Sequence, residues 1–144
     1  MKLAKIERII KCLIYEQRLI NFRNMIHHIG LQVIKEDVEN FYIDLLNFKI
    51  SKTFLLPRKK SIDIFNVNES PTIVYGTCGD FELELFILKS NVEKTFSHLC
   101  LQTENFEEIM EKAKQKGYKV YVHKPNQTFF ISDTNHNVFE IKNK

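Results

Sequence analysis

Two histidines, His28 and His98, open closely matched hexapeptides, His28-Ile29-Gly30-Leu31-Gln32-Val33 and His98-Leu99-Cys100-Leu101-Gln102-Thr103. Two glutamates, Glu84 and Glu140, sit further along in apolar runs, Leu-Glu-Leu-Phe and Phe-Glu-Ile. A carboxylate in an apolar strand must be paired, protonated or bound to a metal to justify its desolvation. One His and one Glu from each half make two imidazoles and two carboxylates about a pseudo-two-fold axis. Such an N₂O₂ set leaves room for water and suits Ni²⁺, Co²⁺, Mn²⁺ or Zn²⁺. The competing readings are a hydrogen-bonded structural His and an edge-strand Glu facing water. Recurrence of the His at equivalent positions favours a site.

The elements that position these residues follow from the same repeat. The two hexapeptides lie 70 positions apart, and that offset carries Asp37 onto Glu107, Asn47 onto Gly117 and Phe48 onto Tyr118. A shared strand, helix and strand in one register is a duplicated module. Ile29, Leu31 and Val33 alternate as in a half-buried strand. The other face then carries His28, Gly30 and Gln32, with His98, Cys100 and Gln102 as counterparts lining a hollow. By the same alternation His27 falls on the face opposite His28, as a structural residue. Glu82 shares the face of Glu84, and only the following Leu-Phe favours Glu84. His123 and His136 are expected in solvent.

Composition narrows the classes. At 144 residues the chain is one domain or one domain made of two half-sized modules, and 44% hydrophobic residues supply its core. A net charge of +3 with dispersed basic residues argues against nucleic acid. Three unclustered cysteines, Cys12, Cys78 and Cys100, point to neither a disulfide framework nor a zinc knuckle, and fit a cytoplasmic protein. Residues 1–24 read as an amphipathic helix outside the repeat, with Leu3, Ile6, Ile9, Ile10, Leu13 and Ile14 at helical spacing. That run is too short and too charged to span a membrane. It either docks on the domain or a partner, or reflects start-site choice, since Met25 precedes His28 by three residues.

Residues 25–144 then form one domain, module one over 25–90 and module two over 95–144. In module one a strand Ile26–Val33 precedes Glu36-Asp37, a plausible cap, and a helix burying Val38, Phe41, Tyr42, Leu45 and Leu46. Asn47 ends it, as Asn tolerates the left-handed conformation. Strands follow at Phe48–Leu56, Thr72–Thr77 and Phe81–Leu88, and Ile62, Ile64 and Phe65 hint at another short strand within Arg58–Ser70. In module two Asn105-Phe106-Glu107-Glu108 has capping-box spacing, and Gly117 ends the helix. Strands Tyr118–Val122, Thr128–Ser132 and Val138–Ile141 complete it. Each module is strand, helix, then strands, which predicts two curled, mixed sheets of the α+β class.

The chain resembles the vicinal oxygen chelate superfamily, which includes glyoxalase I, bleomycin-resistance proteins and dioxygenases. The likeness runs from Met25 to about Ile141. It rests on His28-Ile29-Gly30-Leu31, Phe41-Tyr42 and Leu46-Asn47-Phe48, and on the closing Asp133-Thr134-Asn135-His136-Asn137 with Glu140. Asn47 replaces a Gly, Thr134 a Pro and His136 a Gly of the usual signatures. The resemblance implies two βαβββ modules forming a metal-holding cup, with ligands His28, Glu84, His98 and Glu140. It also implies a homodimer acting on a small molecule.

Its chemistry would be that of a metal-dependent lyase or isomerase of glyoxalase I type. A substrate's two vicinal oxygens meet a Lewis-acidic metal that stabilises an enediolate, and Glu140 moves the proton as general base, then acid. Gln32, Cys100 and Gln102 would line the cup. Gly30 and Gln32 occupy the face where glutathione-dependent members place an Arg. An epimerase, a dioxygenase and a metal-free drug-binding resistance protein are the alternatives, and stoichiometric metal separates the enzymes from the last.

Overall fold

The computed structural model describes residues 6–7, 9–10, 25–90 and 92–144. Module one contains β1 (His28–Val33), a helical turn α1 (Lys35–Asp37) running into a π-helical stretch (Val38–Ile43), and β2 (Lys49–Leu55). It continues with α2 (Arg58–Phe65), β3 (Thr72–Cys78) and β4 (Phe81–Ile87). Module two contains β5 (His98–Thr103), α3 (Phe106–Gln115), β6 (Val120–Lys124), β7 (Thr128–Ser132) and β8 (Val138–Asn143). Two four-stranded sheets result, ordered β1-β4-β3-β2 and β5-β8-β7-β6. In each, the first strand lies parallel to the last and the other pairs are antiparallel. The expected α+β architecture of two repeated modules is what forms.

Curling has a local cause. Register shifts interrupt β2 between Ile50 and Lys52 and β6 between Val122 and Lys124, and such bulges bend a strand and increase its twist. Opposite the first lies Gly76, where a Cβ would sit 2.1 Å from the Lys49 carbonyl oxygen. Only glycine lets the strands approach there.

Alternation sends one face of both sheets into a single core. Leu83 and Leu85 of β4 and Phe139 and Ile141 of β8 belong to the same buried cluster as Phe41, Tyr42, Phe106 and Ile109. Phe41 packs on Phe139 at 5.5 Å between ring centroids, and Phe106 on Phe129 at 4.8 Å. The amides of Asp44 and Leu46 reach back five residues, to the carbonyls of Glu39 and Phe41. That wider winding leaves the consecutive Phe41 and Tyr42 both fully buried. Asn47 and Gly117 close the two helices at positive φ, 55° and 79°, as their shared place in the repeat predicts.

The turn 133–137 locks the modules together. Tyr42 Oη donates to Asp133 Oδ2 at 2.7 Å, and the Asn135 and Asn137 side-chain amides donate to the Gln32 carbonyl at 2.9 and 2.8 Å. The Val92 amide donates to Asn135 Oδ1 at 2.8 Å. Asp37 receives the Thr134 amide and hydroxyl and the Tyr118 hydroxyl, at 2.6–2.9 Å. Burial pushes the Asp133 carboxyl up, against hydrogen bonds from Asn137 and Tyr42 that pull it down. No buried side-chain polar atom among the described residues lacks a partner.

Four expectations change. Arg58–Phe65 is a helix, not a strand: Pro57 opens it, Lys59 pairs with Asp63 one turn on, and left-handed Asn66 closes it. Asp37 caps nothing, because its carboxylate is spent on module two. The capping box at Asn105 is not made; Asn105 offers its backbone carbonyl to Ile109 and no side-chain cap bond. Strand ends shift by one to two residues, β1 starting at His28 and β6 at Val120. Of the N-terminal stretch, Ile6, Glu7, Ile9 and Ile10 are helical and exposed; the rest of that expectation lies outside the described residues. No helix among the described residues is long and apolar enough to cross a membrane.

Two outcomes test this architecture. Asn135→Ala strands the Val92 amide and removes a partner of the Gln32 carbonyl, so urea unfolding should show a loss of about 1–3 kcal/mol. A chain beginning at Met25 should still melt cooperatively, since among the described residues the core and the hydrophobics packed against it begin at Ile29. Loss of that transition would assign residues 1–24 to the folded unit.

Candidate metal centre

Parallel pairing places Gly30 beside Glu84 and Cys100 beside Glu140. Each His, two residues earlier on its strand, therefore meets its Glu diagonally. His28 Nε2 lies 3.3 Å from Glu84 Oε2, and His98 Nε2 lies 3.3 Å from Glu140 Oε2. Side-chain exposure is 41% and 20% in the first pair, 41% and 19% in the second. Two pairs separated in sequence share one geometry.

The donors suit a cation. His98 Nδ1 lies 2.9 Å from the Phe96 carbonyl oxygen, a contact that requires the proton on Nδ1. In the neutral imidazole the Nε2 lone pair then faces a carboxylate oxygen, two acceptors with no proton between them. A metal ion satisfies both. Ligands about 2.0–2.2 Å from one ion lie roughly 3–3.5 Å from each other, the separation found. A backbone carbonyl accepting from Nδ1 is the kind of partner that fixes the ring of a metal-binding His.

The two pairs do not meet within one chain. No three His, Cys, Asp or Glu side chains gather around a point among the described residues. The faces bearing Leu83 and Phe139 share the core, so the faces bearing Glu84 and Glu140 turn outward from it. Each pair is half of the expected set.

Neighbouring residues are placed as follows. His27 precedes β1 and escapes its alternation. Its Nδ1 lies 3.2 Å from His28 Nδ1 and 3.2 Å from Glu82 Oε2, contrary to the opposite-face expectation. Glu82 is also hydrogen-bonded by Tyr75, whose phenol that bond pushes up to about 12. Glu84, not Glu82, therefore faces His28. Gln32 donates its side-chain amide to the Ser90 carbonyl at 3.0 Å. Cys100 and Gln102 border a cavity of about 360 Å³ between β5 and the β3–β4 turn. Burial and then Glu140 raise the Cys100 thiol. His123 is exposed, beside Phe130 at 6.3 Å between centroids, whereas His136 is half-buried at φ 68°.

Sequence reasoning missed Tyr75 and Lys142. Tyr75 pairs with Glu84 in register, and Lys142 Nζ lies 3.6 Å from Glu140 Oε1. Alternation from Glu140 to Lys142 was the available signal for the latter.

Comparison with known proteins agrees with the fold of the two modules. The FosX fosfomycin resistance protein of Mesorhizobium loti superposes with a TM-score of 0.64 at 12% identity, covering 84% of this chain and 92% of that one. A variant of FosX from Listeria monocytogenes, complexed with Mn(II) and 1S,2S-dihydroxypropylphosphonic acid, gives 0.66 at 17% identity, covering 84% and 93%. A putative glyoxalase family protein from Bacillus anthracis gives 0.57 at 15%, covering 85% and 97%. These likenesses are of fold. No curated protein matches the sequence. The family model of the Glyoxalase/Bleomycin resistance protein/Dioxygenase superfamily matches residues 25–141, nearly the whole of both modules, and the chain belongs to that superfamily.

Proposed function

We propose that this protein is a metal-dependent enzyme of lyase or isomerase type, acting as a homodimer on a small substrate with adjacent oxygens. The observation that carries this reading is the pair of matched His–Glu half-sites, each with donors 3.3 Å apart. Module one of one protomer would face module two of its partner, so that His28, Glu84, His98 and Glu140 hold one divalent ion. Mn(II) in a FosX relative supports a divalent ion here. Such an ion supplies Lewis acidity to the substrate's two oxygens.

Glu140 moves the proton. Its Oε2 faces His98 and its Oε1 has Lys142 at 3.6 Å, so the carboxylate has a second electrostatic partner when it turns toward substrate. Two residues beyond Glu84 stands Phe86, which offers no such partner. Glu84 accordingly stays a ligand. Isomerisation of a hemithioacetal, the glyoxalase I reaction, is the finer reading. Water addition to an epoxide such as fosfomycin is the second, favoured by the FosX fold likeness and by the diol bound in one of those structures. Turnover of one substrate and not the other selects between them.

Two variants and their mixture test the shared site. His28→Ala and His98→Ala should each lose most bound metal by elemental analysis while remaining folded. Mixing the two after unfolding and refolding should restore metal in roughly one site in four, because half of the dimers are mixed and each keeps one intact site. No recovery would mean that the halves act separately.

Glu140→Gln should keep metal, since an amide oxygen still coordinates, and lose on the order of 10²–10⁴ in turnover. Glu84→Gln should lose less. Equal losses in steady-state kinetics would remove the distinction between base and ligand.

A further inference from the structure

Helix α2 has no counterpart in module two, where residues 125–127 alone join β6 to β7. It gains little from burial: Ile62, Ile64 and Phe65 remain exposed, and Ser61 is the buried residue. Its contact with the sheet is Phe65 against Phe86, ring centroids 5.4 Å apart. Phe86 follows Glu84 on the outward face of β4, so α2 roofs that face beside the His28–Glu84 half-site. Beneath it is a cavity of about 210 Å³, lined chiefly by Gly30, Phe65, Val67, Pro71, Phe86 and Leu88. Gly30 is also the register partner of Glu84. A Cβ at Gly30 would come within 3.1 Å of the Phe86 ring, so the absent side chain helps keep the space open. The corresponding places in module two hold Cys100 and Lys142.

We propose that this cavity is a substrate subsite for an apolar group, a single ring or a branched alkyl chain, attached to the part of the substrate that meets the metal ligands. The proposal rests on the metal-dependent reading above. An apolar cavity of about 150 Å³ accommodates benzene, so the space beneath α2 suffices for one ring. Its two polar side chains offer little: the Gln32 amide is already bonded to Ser90 and Ser61 is buried, which disfavours a charged or sugar-like group. The repeated residues would hold the part of the substrate that meets the metal, and the unrepeated helix selects what is attached to it.

The test compares acetohydroxamate with benzohydroxamate, which present the same two-oxygen head with a methyl or a phenyl behind it. Calorimetric titration of the full chain loaded with Zn(II) should find the phenyl compound roughly 10- to 100-fold tighter. The preference should shrink in Val67→Phe, which fills the space, and in Phe65→Ala, which unroofs it. Equal affinities in the unaltered protein, or a preference that survives both substitutions, would overturn the subsite. Acetohydroxamate binding alone would leave the metal reading standing without it. If neither hydroxamate binds, the metal-free chain is titrated with indole, whose fluorescence is read against a protein that has no Trp. A blue shift abolished by Val67→Phe keeps the subsite when the metal reading fails. Indole that stays in water, as it would if a second copy or another segment of the chain filled the space, overturns it.

Discussion

Parallel pairing of the first and last strand of each module fixes where each His meets its Glu. Two strands and at least one helix separate the pair in sequence, yet their register brings Gly30 beside Glu84 and Cys100 beside Glu140. His28 and His98, two residues earlier, then stand diagonal to the carboxylates at the same 3.3 Å. A slip of one residue in either pairing would send a Glu to the core face, where Leu83, Leu85, Phe139 and Ile141 are now fully buried. Core packing and ligand placement are therefore one constraint, read from opposite faces of the same strands.

The same core explains why one chain presents its two His–Glu pairs separately. Both sheets give their apolar faces to a shared cluster, and the 133–137 turn ties β1 and α1 of module one to module two through the Gln32 carbonyl and Asp37. Internal cohesion is satisfied with the ligand faces turned away from each other. On the proposed reading, completion of a four-ligand set would then require two chains to associate, each offering the face the other lacks.

Departures from the repeat carry the individuality of the protein. Lys142 stands beside Glu140 where Phe86 follows Glu84. Tyr75 bonds to Glu82 and His27 in module one, while Phe130 and Val138 hold the corresponding register positions in module two. Helix α2 has no counterpart. Each difference lies on an outward face, where it alters the surroundings of a half-site without touching the core.

The amino-acid sequence by itself determined the duplication, the strand alternation and the left-handed helix ends at Asn47 and Gly117, because these are local periodicities and backbone preferences. It also determined the His/Glu pattern, since the repeat aligns the histidines and matched settings single out the glutamates. Tertiary structure supplied the contact behind the preference for Glu84 over Glu82: both share one face, and the cross-strand geometry sets Glu84 against His28. It decided that Asp37 reaches Thr134 and Tyr118 instead of capping a helix. It decided that Arg58–Phe65 coils: the spacing of Ile62 and Ile64 fits a strand, but both remain exposed and burial never enforces that period. The separation of the half-sites was equally out of reach of spacing, because it depends on which faces two modules bury against each other.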